Sequence, residues 1–112
     1  MNEAQLEKRL RYAFEVSSIV WKKPRGCYAD VNSDKGKHTI RIPPEGDDDW
    51  RLRSLIHELC HVAIPGELGT FGTFEEDILE RVIEPRMMDH LLNRPAKHKW
   101  WLKKLRESKE GQ

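Results

Sequence analysis

The residues with the clearest chemical potential are His57, Glu58 and His61, which stand in the chain as His57-Glu58-Leu59-Cys60-His61. Two imidazoles four residues apart leave a helix on one side, a single turn apart, and can close on one metal ion. The HExxH arrangement adds a carboxylate beside them. A zinc ion held there would draw the pKa of a coordinated water towards about 7, and Glu58 could take the proton as that water attacks a carbonyl. The chemistry implied is metal-assisted amide hydrolysis, with Zn2+ as cofactor, His57 and His61 as ligands and Glu58 as general base. A catalytic zinc usually has three protein ligands, so a further donor is required.

Candidates for that donor lie in Glu75-Glu76-Asp77-Ile78-Leu79-Glu80. Glu76 and Glu80 are one helical turn apart on a shared face, so one can bind the ion while the other fixes the tautomer of a ligand imidazole. Glu80 as ligand, with Glu84 behind it, satisfies the same spacing. Glu75 falls towards the apolar stripe, and Asp77 is a further option. Cys60 leaves the helix in a different direction from the histidines and reads as a small buried hydrophobe.

These residues need elements to hold them. The apolar residues Leu52, Leu55, Ile56, Leu59 and Val62 share one helical face, with His57 and His61 roughly opposite, which predicts an amphipathic helix over 49–64. Asp47-Asp48-Asp49 supplies its N-cap and first-turn charge, and Pro65-Gly66 stops it. A loop over 67–73 leads to a glutamate-bearing helix from about Phe74, with Phe74, Ile78, Leu79, Val82, Ile83, Met87, Met88, Leu91 and Leu92 apolar. Pro85 predicts a kink or break near Glu84. Upstream, residues 4–17 read as an amphipathic helix, and 27–31 with 38–42 as a hairpin around Ser33-Asp34-Lys35-Gly36-Lys37. Residues 96–108 form a terminal amphipathic helix with Trp100, Trp101, Leu102 and Leu105 among lysines.

The 112 residues suit one domain over 1–112. A 35% charged fraction nearly cancels to a formal net charge of +1, so global charge names no partner. No apolar run approaches the roughly 20 residues of a membrane span, and Met1-Asn2-Glu3-Ala4-Gln5 lacks a signal pattern, so the expected setting is soluble and cytoplasmic. Cys27 and Cys60 form no CxxC pair and are expected to be thiols.

Taken together, the HExxH helix and the glutamates after it resemble the gluzincin metallopeptidases, and most closely the ImmA/IrrE group and the compact minigluzincins. The resemblance covers roughly residues 38–83, with Glu76, Glu80, Val82 and Ile83 in the register of the second site helix. It implies Glu76 as third zinc ligand, Glu80 supporting an imidazole, and an upstream strand, here 39–42, that binds extended substrate by backbone pairing. The longer HExxHxxGxxH pattern is excluded, since Ile64 and Glu67 stand where it needs glycine and histidine.

The expected fold is therefore α+β: a small zincin-like domain with a short antiparallel sheet (28–31 and 39–42), the HExxH helix, the glutamate-bearing helix and a terminal helix. The expected function is a zinc-dependent metallopeptidase acting on a peptide or protein. The alternative is a zinc-containing regulatory or binding protein with little proteolysis, its basic C-terminal helix used for nucleic acid or protein contact. The mix of tryptophan and lysine in that helix is better explained by docking on the core, which argues against nucleic acid. His90, Tyr28 and His38 could each assist the reaction, and each is more simply read as a packing or surface residue. Sequence leaves oligomeric state open.

Overall fold

The computed structural model describes residues 2–21, 30–34, 37–44, 46–63 and 78–110. Helix α1, Glu3–Glu15, opens with a capping box: Asn2 Oδ1 accepts the Gln5 N–H at 2.8 Å and Gln5 Oε1 accepts the Asn2 N–H at 2.9 Å. It buries Glu7, Leu10 and Ala13. The helix ends two residues earlier than the periodicity predicts, because Ser17 turns its hydroxyl back onto the Ala13 carbonyl at 2.6 Å while its backbone starts strand β1, Ser17–Trp21.

Strand β1 is a correction to the sequence reading, which placed no strand there. Strands β2, Asp30–Asp34, and β3, Lys37–Ile42, complete a three-stranded sheet in the order β1-β3-β2. The sheet is mixed rather than antiparallel throughout: β1 runs parallel to β3 from Ser17↔His38 to Trp21↔Ile42, and β2 runs antiparallel to it from Asp30↔Arg41 to Asp34↔Lys37. Strand β2 also lies later than the 27–31 expected, with Ser33 and Asp34 paired instead of turning. Most consequential is the position of β3. With a neighbour on each side its backbone groups are committed, so 39–42 cannot pair with a substrate.

Helix α2, Asp48–Ala63, begins as the acidic run predicts, with Asp47 Oδ1 accepting the Trp50 N–H at 2.8 Å. Leu52, Leu55, Ile56 and Leu59 are fully buried on its inner face. A π-helical turn, Leu79–Ile83, then runs into helix α3, Glu84–Leu92. Pro85 has no N–H to give the preceding turn, and the Glu84 N–H reaches back five residues to the Leu79 carbonyl. The wider turn shifts the phase of the helix, which explains why Val82, expected on the apolar face, is 45% exposed. The predicted start of this helix near Phe74 lies outside the described residues.

Helix α4, Pro95–Glu110, docks as its apolar stripe predicts: Trp101 and Leu105 are fully buried, and Arg11 stacks over the Trp100 ring at 4.0 Å. One core joins Leu10 of α1, Ile19, Ile40 and Ile42 of the sheet, the inner face of α2, Leu79, Met87 and Leu91, and the two α4 anchors. A mostly helical α+β fold results. No helix among the described residues is long and apolar enough to cross a membrane.

Candidate metal centre

The inner face of α2 is fixed by the core, so its opposite face is fixed too. Trp50, Arg53, Ser54, His57 and His61 lie along that outer face, and all stay at least partly exposed. The imidazoles of His57 and His61 meet with their Nε2 atoms 3.3 Å apart, ring centroids 5.1 Å apart and planes at 66°. Glu58 is buried beside them, with Oε1 4.0 Å from His57 Nε2. One ligand atom from each of His57, Glu58 and His61 lies within 4.8 Å of the others.

The tautomer of His57 follows from its other nitrogen. Glu84, buried on α3, accepts from His57 Nδ1 at 2.9 Å and from Arg53 Nε. A carboxylate only accepts, so Nδ1 carries the proton and Nε2 presents its lone pair towards His61. Two imidazole nitrogens at that separation need a cation or a shared proton between them. Tetrahedral zinc with Zn–N of about 2.0–2.1 Å spans about 3.3–3.4 Å between two nitrogens, so the observed pair has the spacing of a tetrahedral edge.

A cavity of about 410 Å³ opens over His57 and Glu58 and includes Trp50, Arg53 and Glu80 in its wall. Among its described residues three carboxylates, Glu58, Glu80 and Glu84, against one guanidinium, that of Arg53, leave a formal excess of two negative charges, which one divalent cation neutralises. The donor set, nitrogen and carboxylate oxygen, suits zinc. A larger groove of about 840 Å³ lies along α1 and the end of α2; it carries His38 and Tyr12 but neither the paired imidazoles nor these carboxylates.

The structure therefore brings together His57, Glu58, His61 and Glu84, with Glu80 in the same cavity wall. Glu84, rather than Glu80, holds an imidazole. The sequence signal for it was the spacing Glu80-Arg81-Val82-Ile83-Glu84, one turn beyond the pair first favoured. Glu76, Glu75, Asp77 and Tyr28 lie outside the described residues. His90 is apart from the site, buried on α3, where burial first, then Arg94 and Lys97, hold its pKa below the ordinary imidazole value. Burial, reinforced by Glu84 and Glu58, pushes the Cys60 thiol up to about 12, so a metal finds no ready thiolate there. Among the described residues no part of α4 lines the cavity. Comparison with protein-family models, with curated proteins and with solved structures gives no match to this chain.

Proposed function

We propose that the protein is a zinc-dependent metallopeptidase of gluzincin type, in which His57 and His61 hold the ion and Glu58 is the general base. The observation that carries this reading is the imidazole pair, spaced at 3.3 Å, with one member locked by the buried carboxylate of Glu84. A helix that merely happened to spell HExxH would have no reason to aim both Nε2 atoms at one point and to fix the tautomer that frees a lone pair there.

For the third ligand we choose Glu80. The residue that orients His57 is Glu84, and the glutamate one turn before it is Glu80, which lines the cavity. Glu76 is the competing choice, and the two are separated by substitution. Zinc held by these residues would supply Lewis acidity and a water made nucleophilic near neutral pH. Glu58, close to His57 Nε2 and shielded from bulk solvent, takes a proton from the attacking water and returns it to the leaving amine. Glu84 holds the Nδ1 proton of His57 and keeps the ring aligned throughout.

An extended substrate must find its backbone partner away from β3. Among the described residues β2 is paired on one side only and packs against α2, so its outer edge replaces 39–42 as the strand we assign to substrate alignment. The test is incubation of the zinc-loaded protein with a peptide pool, read by mass spectrometry, beside Glu58→Gln. Cleavage that falls by about 10²–10⁴-fold in Glu58→Gln while zinc content is unchanged is the expected result. An intact pool with full zinc occupancy would remove the peptidase reading and leave the metal site standing.

A further inference from the structure

Arg53 stands one helical turn before His57 and shares the cavity wall with it. Its Nε–H is committed to Glu84, which aligns the guanidinium at the edge of the site. A guanidinium has five N–H donors in a planar fork, and no hydrogen bond from the terminal nitrogens of Arg53 is formed among the described residues. The side chain is half exposed and is the one cation among the described residues of the cavity wall. Next to it Trp50 offers an aromatic surface and Ser54 a hydroxyl.

We infer that Arg53, backed by Trp50, forms a subsite for a substrate carboxylate lying next to the scissile amide; this deepens the metallopeptidase reading and rests on it. Among its described residues the cavity carries an imidazole and carboxylates where a scissile carbonyl would be engaged and a guanidinium, with the Trp50 ring, where a negative group would be. Glu84 joins the two ends, since one carboxylate holds both His57 and Arg53. Substrate recognition is thereby tied to the orientation of a metal ligand. The fork pairs with a carboxylate through parallel N–H···O bonds, and Trp50 packs on the apolar side chain nearby. A chain-terminal carboxylate and an acidic side chain share this chemistry.

The test follows the indole and arginine side-chain resonances of the ¹⁵N-labelled protein at saturating zinc. The probes are N-acetylphenylalanine against its amide, and N-acetylglutamate amide against N-acetylglutamine amide, which separates the terminal from the side-chain source. The expected result is that one carboxylate probe binds about 10- to 100-fold more tightly than its neutral partner and shifts the Arg53 and Trp50 signals. That preference should vanish in Arg53→Met, which keeps the stem, and weaken in Arg53→Lys, which keeps charge but loses the fork. Persistence of the preference in Arg53→Met would assign the carboxylate to the metal and overturn the inference, as would equal binding of charged and neutral probes to the wild type. The same titration on zinc-free protein judges Arg53 separately: a preference there, lost in Arg53→Met, supports the subsite even if the protein refuses zinc.

Discussion

Substitution of Glu7 tests how the scaffold of the site is held together. Glu7 is 3% exposed on α1, yet its carboxylate accepts hydrogen bonds from Arg11 Nε at 2.7 Å, Lys97 Nζ at 2.8 Å and Trp101 Nε1 at 3.2 Å. Two of the three come from α4, so one buried charge joins the first helix to the last. In Glu7→Ala the cations suffer least, because the Arg11 and Lys97 side chains are 36% and 34% exposed and can return to water. Trp101 is fully buried and cannot, and an orphaned indole N–H costs about 1–3 kcal/mol. Adding the lost charge-assisted bonds, we expect about 3 kcal/mol of destabilisation for Glu7→Ala in urea unfolding at pH 7. Glu7→Gln, which keeps an acceptor for Trp101, should lose about half of that.

The pH dependence gives the same reasoning a second check. Burial raises the Glu7 pKa, but the hydrogen bonds from Lys97, Arg11 and Trp101, with the charge of Arg11, outweigh it and leave the carboxyl below its ordinary value. The folded state therefore takes up this proton at lower pH than the unfolded chain does. The stabilisation is complete above the ordinary glutamate value of about 4.3 and is lost as pH falls through the lowered folded value. The gap between wild type and Glu7→Gln should narrow over that acid window. A loss below about 0.5 kcal/mol in Glu7→Ala, or a gap that does not narrow, would refute the account of this buried charge.

Other substitutions probe the site and its supports. Glu84→Gln should weaken zinc affinity by about 10- to 100-fold in competition with a chelator, because its amide faces Arg53 with the wrong polarity or leaves His57 without its acceptor; unchanged affinity would deny Glu84 its orienting role. Glu80→Ala should lose zinc while Glu76→Ala retains it, and the reverse result would return the third-ligand position to Glu76. His90, its Nε2 buried without a hydrogen-bond partner among the described residues, takes up its proton at lower pH in the fold than in the unfolded chain, so stability falls as pH drops below about 6.5. His90→Gln should flatten the dependence of unfolding free energy on pH between about pH 7 and 5. Gly46→Ala should cost about 1–2 kcal/mol in urea unfolding, since φ there is +100° and a Cβ would come within 2.9 Å of the Trp50 ring that walls the cavity.

Much of α2 was legible because its signals are local. Asp47 caps it, a row of leucines with Ile56 repeats at helical spacing, and the histidines occupy the other face. The α4 tryptophans were legible for the same reason. Strand β1 was not, because its parallel pairing with β3 is a long-range event and only Val16 separates it from α1, leaving no turn residue to mark the change. The central place of β3 was hidden with it, and so was the loss of its edge for substrate. Pro85 announced a disturbance, but whether a helix breaks, kinks or widens into a π turn depends on what packs against it. That turn, and the packing of α3 on α2, set Glu84 rather than Glu80 beside His57.

The account stands on metal held by the imidazole pair, and the most direct measurement is elemental analysis of the purified full chain after equilibration with zinc and removal of loose metal. It predicts one zinc per chain in the wild type and none in His57→Ala or His61→Ala, with each variant still folded by circular dichroism. A wild type that refuses zinc, or a zinc content unchanged in both histidine variants, would contradict it, and the 3.3 Å approach of His57 and His61 would then be a shared proton on the face of a helix.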